Sequence, residues 1–422
     1  MLEGRQFLAL WVIYDFVNSL MIINGSIYYS QWLVSEEGIS QGYYGLAYAV
    51  STLLLLIAAP LLGTVIDRSK VGLRILYYCS TAMGALGVLI WTLGNQESQL
   101  LRHFGTLTAF GAIVFVYQLS LVAYNWVLRG LPGLTGRSGA KIVSGYGEAA
   151  GSLGSVTGAL LGAWVFSLFS TPEARELKVI LIMSVVFLAS SFPVVFLMRR
   201  LALSMMQPAA PEPEASSREL SSASWNETWG VLKSNAALWR YLLVFMLYAD
   251  ALLTVQLYLP VFLREGVHLA PGRIPVAFAL ALVFGAVGSW SFSYMSRRWR
   301  SIDIILVVLV LWTGNLLWLA TVPLGKSFWL SMMVSGMLFG ILWAASRALM
   351  YEIVEPADLG RGFGFYAIFE RAASVLGPLL WGLAVGSGRY GTAMTTMAGL
   401  VALSAILLGL WARKTIQAGI RT

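Results

Sequence analysis

The chain has 422 residues, of which 58% are apolar and 11% charged, whereas a water-soluble domain is roughly 45–50% apolar and about 25% charged. That balance excludes a soluble globular fold. The net charge of +8 does not point to nucleic acid, because Lys and Arg are scattered between apolar runs instead of forming a basic stripe. A single cysteine, Cys79, excludes an internal disulfide, and His103 and His268 stand in no metal-ligand spacing. No metal and no cofactor are expected.

A hydrocarbon core of about 30 Å needs about 20 helical residues. Apolar runs of that size recur at 7–33, 42–66, 74–94, 104–128, 141–169, 178–198, 239–263, 276–296, 303–322, 327–350, 363–385 and 391–412. The expected fold is an all-α membrane protein of twelve spans.

The first run carries Asp15 and Asn18, is too long for a signal peptide and has no small-residue cleavage site, so it reads as a retained helix. Asp15, Asn18, Ser19, Ser26 and Tyr29 recur at i, i+3/i+4, a polar stripe expected to face a cavity. After the second run comes GTVIDRSKVGLR (63–74), where Asp67 beside Arg68, Lys70 and Arg74 suits an ion-pair latch. A cytoplasmic loop would supply the same basic residues. The fourth run offers Gln118 and Asn125 on one face, with Tyr124 beside them. The fifth carries Glu148 and a series of GxxxG spacings from Gly147 to Gly162 that favour close helix packing. Its GYGEAAG looks like a nucleotide loop, but no strand precedes it.

Residues 199–238 form the longest polar stretch, rich in Pro, Glu and Ser, and read as a cytoplasmic linker between bundles 1–198 and 239–422. The seventh run then carries Asp250, Thr254 and Tyr258, the tenth Arg347, and the eleventh Glu370 and Arg371. A charge at mid-membrane costs about 2.5–3.5 kcal/mol or more and normally turns toward protein or a water-filled cavity. Spans one, five, seven, ten and eleven are therefore expected to line the centre. At about 1.5 Å per residue, Asp15, Glu148, Glu370 and Arg371 lie roughly 10 to 12 Å from the cytoplasmic end and Asp250 roughly 16 Å. Arg347 lies nearer the inner surface, in reach of Glu352.

Each of these residues also has a structural reading. Asp15 and Asp250 serve equally as partners of Arg371 or of backbone donors, Glu148 and Arg371 as a pair, and Asn18, Asn125 and Thr254 as interhelical hydrogen-bonding groups.

With both termini placed in the cytoplasm, the inner segments hold nineteen Lys and Arg against seven outside, the bias that sets orientation. A weak repeat joins the halves. Tyr14-Asp15 resembles Tyr248-Ala249-Asp250, and AAGSLG (149–154) resembles AASVLG (372–377), as parallel repeats would.

Five segments, WVIYDFVNS (11–19), YNWVL (124–128), SGYGEAAGSLG (144–154), YADALLTV (248–255) and GFGFYAIFERAASVLGPLLWG (362–382), together resemble the vacuole effluxer family of the major facilitator superfamily, whose eukaryotic member exports amino acids from the vacuole. The resemblance implies two six-helix bundles related by a pseudo-two-fold axis. It carries family positions onto Tyr14, Asp15, Tyr124, Asn125, Asp250, Thr254 and Arg371, and a superfamily gating motif onto Gly63, Asp67 and Arg68. Here the spacing from Asp67 to Arg74 departs from the usual pattern, and SYMSRRWR (293–300) lacks the Asp.

The expected function is secondary active transport of a small solute by alternating access, amino-acid-like and coupled to protons. Asp15, Asn18, Gln118, Tyr124, Asn125, Asp250, Thr254 and Arg347 are expected to bind solute or protons, since a carboxylate leaving water disfavours its charged form. Glu148, Glu370 and Arg371 are expected to form a charge network, and Gly63, Asp67, Arg68 and Arg74 a gate. For an amino acid, Arg347 or Arg371 would hold the carboxylate and Asp15 or Asp250 the amine. Efflux of an amphipathic or lipid-like solute, and a non-transporting sensor or scaffold, stand as alternatives. An enzyme is not expected, because no nucleophile, base and orienting group can be assembled. A monomer in a bacterial inner membrane, without nucleic acid, completes the expectation.

Overall fold

A computed structural model describes residues 2–69, 71–129, 137–169, 174–205, 232, 235–321, 327–354, 359–385, 389–412 and 414. Twelve helical spans long and apolar enough to cross a membrane are present among them. This is what the partition of apolar runs requires, since in lipid the backbone must satisfy its own hydrogen bonds.

In chain order the helices are α1 (Leu2–Asn24), α2 (Gln41–Ser69), α3 (Gly72–Gly94), α4 (Thr106–Arg129), α5 (Arg137–Ser167), α6 (Arg175–Met205), α7 (Ala236–Val261), α8 (Ile274–Met295), α9 (Ser301–Thr321), α10 (Phe328–Ile353), α11 (Leu359–Ala372), α12 (Leu376–Val385) and α13 (Tyr390–Leu407). Two π-wound segments, Gly25–Tyr29 and Gln31–Glu36, extend α1, and one, Phe262–Gly266, extends α7. The eleventh span differs from the single helix expected. It breaks at residues 373–375 into α11 and α12, and Pro378 follows directly on the restart. Proline lacks a backbone N–H and is tolerated in a first helical turn.

Two compact units are present. One comprises Met1–Gln207 with Leu257–Leu282, the other Pro208–Gln256 with Val283–Thr422.

In the first unit α5 lies closely on α1. A Cβ on Gly154 would run into the carbonyl of Phe16 and stand 2.9 Å from its Cα, so only glycine permits this approach. In the same unit Phe7, Trp11, Tyr14, Leu76, Tyr124 and Met198 form a buried cluster from α1, α3, α4 and α6. The spans α1 and α7 end in the same turn. Glu37 N donates to Trp32 O at 3.0 Å and Ile39 N to Leu33 O at 3.1 Å, and Val267 N donates to Phe262 O at 3.0 Å and Leu269 N to Leu263 O at 2.9 Å. The residue in the left-handed conformation is Gly38 in one (φ 70) and His268 in the other (φ 56). Both turns return the chain to carbonyls that a helix end would leave without partners.

In the second unit, α8 and α10 approach through Gly288 and Gly340, while α9 packs against α10 and α13, and its Ile305, Trp312 and Leu316 are buried.

Candidate functional site

The polar residues of the first unit sit on an aromatic frame. Trp11 and Tyr124 stack with ring centroids 4.3 Å apart and planes 6° from parallel. Trp11 Nε1 donates to the Tyr124 carbonyl at 3.2 Å, and Tyr124 OH lies 3.4 Å from the Trp11 carbonyl. Tyr124 therefore fastens α4 to α1. The Tyr14 hydroxyl, fully buried, shares a 2.9 Å hydrogen bond with Ser80 of α3.

One residue on, Asp15 is half-buried and lies over α5, where a Cβ on Gly151 would stand 3.2 Å from Asp15 Oδ2 and 3.1 Å from Ser19 Oγ. Asn18 is 1% exposed, and its Oδ1 has no hydrogen-bond partner among the described residues. Gln118 is buried and donates to Thr52 of α2 at 3.4 Å. Tyr29, expected on the cavity stripe, is instead buried against Phe110, its ring stacked at 4.6 Å.

The second unit repeats the tyrosine. Tyr248 OH meets Ser346 Oγ at 2.7 Å, and Tyr241 OH donates to the Ser346 carbonyl at 3.0 Å. Two residues beyond Tyr248, Asp250 is 5% exposed, and one turn further Thr254 is 1% exposed. Both face Gly377, the second residue of α12. A Cβ there would stand 2.8 Å from the Asp250 carbonyl and 3.0 Å from its Oδ1, and would run into Thr254 Oγ1. The Gly377 backbone lies beside the Asp250 carboxylate. The break in the eleventh span thus presents a helix N-terminus, with its partial positive charge, to a buried carboxylate. Asp250 Oδ1 and Thr254 Oγ1 have no hydrogen-bond partner among the described residues.

These contacts fix how the repeat aligns. With AAGSLG on AASVLG, Gly154 corresponds to Gly377. Gly154 meets Phe16 where Gly377 meets Asp250. Asp250 accordingly takes the place of Phe16, and the two aspartates, which the sequence suggests are counterparts, stand one residue apart.

Glu370 is engaged by Trp343, whose Nε1 donates to its Oε1 at 2.9 Å. Arg347 is exposed on α10, and Glu352, its expected neighbour, accepts from Ser301 at 2.5 Å. Arg371 is half-buried in the last turn of α11, and Arg74 is exposed on α3. The side chains of Asp67, Arg68, Asn125 and Glu148 lie outside the described residues, as do the surroundings of Gly63.

A further polar group was not anticipated from the sequence. At the end of the first unit remote from the N-terminus, Glu37 receives Arg102 at 2.8 Å and His103 at 2.9 Å, and Arg264 donates to Glu176 at 2.9 Å and to Glu36. Arg102 and Arg264 lie outside the apolar runs, among the seven basic residues placed on the outer side. Acidic residues at the start of α6 and at the end of α1 were the available signal.

Residues 7–341 match the family model of the Major Facilitator Superfamily. The chain belongs to this family, and it is a multi-pass membrane transporter rather than an enzyme. A Bacillus subtilis (strain 168) protein described as an uncharacterized MFS-type transporter, YxiO, is 22% identical over 406 residues, covering 94% of this chain and 92% of that one. Autophagy-related protein 22 of Chaetomium globosum is 27% identical over 178 residues, 38% of this chain and 27% of its own length. Among solved structures, an inward-facing, unoccupied bacterial homolog of the human lysosomal transporter Spinster superposes with a TM-score of 0.73 at 13% identity, covering 99% of this chain and 98% of that one. That likeness establishes the shared fold.

Proposed function

We propose that the protein is a secondary active transporter that moves a small, amino-acid-like solute by alternating access, acts as a monomer, and has both termini in the cytoplasm. Asp250 and Thr254 bind the ammonium group of the solute. The observation that carries this reading is the pair of bare oxygens at the helix break. Asp250 Oδ1 and Thr254 Oγ1 are buried and without a hydrogen-bond partner among the described residues, and a buried acceptor left unsatisfied costs about 1–3 kcal/mol. An ammonium group brings three donors to such acceptors. Asp250 and Thr254 both stand against Gly377 at the start of α12, so the seat is organised before the solute arrives.

Asp15, beside Ser19 on α1, is a carboxylate of the first unit, and coupling to protons is part of the same reading. The resemblance to the vacuole effluxer family supports amino acids as the solute class, and the nineteen-to-seven Lys and Arg bias supports the orientation.

The test is a thermal-shift panel on the purified protein with amino acids, the corresponding amino alcohols, which keep the amine, and the corresponding carboxylic acids, which lack it. Stabilisation by the first two classes, lost in Asp250→Asn and weakened in Thr254→Val, is the expected outcome. Stabilisation that persists in Asp250→Asn would remove this residue from the site.

A further inference from the structure

The turn between α8 and α9 is strongly basic. SYMSRRWR (293–300) holds three arginines within four positions, and no acidic residue occurs from Ile274 to Ile302. Its counterpart after α2 keeps Asp67 beside Arg68, so the chemistry for an internal ion pair is present in one half and missing here. Arg297, Arg298 and Arg300 are exposed and form no ion pair among the described residues. Glu352 of α10, the acid that meets the start of α9, accepts from Ser301 at 2.5 Å.

The turn is held by its backbone. Arg297 N donates to the Tyr294 carbonyl at 3.2 Å, Arg298 N to the Met295 carbonyl at 3.0 Å and Trp299 N to the same carbonyl at 2.9 Å, while the Arg300 carbonyl accepts from Asp303 N at 3.0 Å and Ile304 N at 3.1 Å. Backbone groups at the end of α8 and the start of α9 thereby find partners within the connection. The guanidinium groups take no part in this closure. They are displayed on an ordered turn and left to bind outward.

Aromatic rings lead from the span to these charges. Trp290, Tyr294 and Trp299 are 64%, 55% and 53% exposed. Trp290 and Tyr294, one turn apart on α8, meet edge-on with centroids 5.0 Å apart, and the Arg297 guanidinium lies 5.4 Å from the centre of the Tyr294 ring. Because α8 is an apolar, lipid-length helix without a charged residue, its end falls at the boundary of the hydrocarbon, where Trp and Tyr concentrate. The arginines then stand at the level of the lipid headgroups.

A basic loop serves orientation wherever its arginines point. Exposed rings continuing into three arginines that no carboxylate engages are more than orientation needs. Guanidinium groups take phosphate oxygens through paired, parallel hydrogen bonds. We propose that this turn binds the phosphate of an anionic phospholipid in the leaflet where α8 ends, with Arg297, Arg298 and Arg300 as its ligands and Trp290, Tyr294 and Trp299 flanking the lipid beneath its headgroup. The inference requires that the chain spans a membrane and is independent of the solute it carries.

The test titrates delipidated full-length protein in detergent with phosphatidylglycerol, phosphatidylcholine and sodium phosphate. The readouts are the unfolding midpoint and, by native mass spectrometry, the lipids retained. The native protein is expected to be stabilised by phosphatidylglycerol in preference to the other two. Arg297→Gln, Arg298→Gln and Arg300→Gln combined are expected to lower the apparent affinity for phosphatidylglycerol about a hundredfold, about fivefold for each arginine at a membrane surface, and to leave the response to phosphatidylcholine unchanged. Should the triple variant fail to fold, each single change carries the same test through its own fivefold loss. Arg273→Gln, at an exposed position before the opposite end of α8, is the control and is expected to bind as the native protein does. Equal retention of the two lipids by the native protein, or an equal loss in Arg273→Gln and Arg298→Gln, would overturn the proposal. Stabilisation by sodium phosphate at the level of phosphatidylglycerol would assign the turn to a soluble anion and overturn it as well.

Discussion

Arg264 Nη1 lies 2.9 Å from Glu176 Oε1, and the Glu176 side chain is only 3% exposed, whereas Glu36, the other carboxylate on the same guanidinium, is 39% exposed. The two bonds differ in worth. Breaking a buried pair by removing one partner leaves an uncompensated charge and costs about 3–5 kcal/mol, but an exposed pair is worth about 1 kcal/mol or less.

Arg264→Ala is therefore expected to lower stability by about 3 kcal/mol, mainly through Glu176. Glu36→Gln is expected to cost less than about 1 kcal/mol. Adding Glu176→Gln to Arg264→Ala should recover most of the loss. Denaturation midpoints in detergent measure this, and a loss that Glu176→Gln leaves unchanged would show that Arg264 acts through other contacts.

Gly377→Ala places a methyl group against the Asp250 carbonyl and the Thr254 hydroxyl. It should cost about 1–3 kcal/mol as overpacking and should abolish solute-dependent stabilisation together with Asp250→Asn. Gly399→Ala on α13 is the control, because nothing lies within 4 Å of a Cβ there. Replacing an open helical glycine is expected to leave stability unchanged or to raise it by up to about 1 kcal/mol. Equal losses at both positions in thermal unfolding would contradict the close approach of α12 to α7.

Gly154→Val should be more damaging than Gly377→Ala. The obstacle is the backbone of Phe16, which cannot turn aside as a side chain can. A loss of about 3 kcal/mol or more, with reduced yield of folded protein, is expected. Near-native stability of Gly154→Val would mean that α1 and α5 do not touch.

Tyr248→Phe removes a hydrogen bond of 2.7 Å to Ser346 Oγ and one of 3.4 Å to the Tyr241 hydroxyl, yet Ser346 Oγ keeps its bond to the Leu342 carbonyl at 2.6 Å and Tyr241 OH its bond to the Ser346 carbonyl at 3.0 Å. No buried group is orphaned, so the expected cost is about 0.5–1.5 kcal/mol, and Tyr14→Phe, which breaks the 2.9 Å bond to Ser80, should cost the same. Unfolding midpoints of the two variants should fall together.

Much of this protein is legible in the chain alone. The number of spans follows from runs of apolar residues about 20 long, because each helix must satisfy its backbone within itself before it meets a neighbour. The repeat is legible because AAGSLG and AASVLG keep the small residues that let α5 approach α1 and let α12 approach α7. Asp250 and Thr254 stood out because polar residues in lipid-length helices are costly. What the sequence left open depends on groups far apart along the chain. The aspartates look equivalent beside their tyrosines, and only the contacts of Gly154 with Phe16 and of Gly377 with Asp250 show them one residue apart. The break before α12 is invisible to a hydropathy window, which responds to composition and not to the course of the backbone. Arg264 meets Glu176 across 88 residues and Glu36 across 228. Local periodicity determines which helices exist, but which charges become partners is decided by where tertiary packing brings their ends.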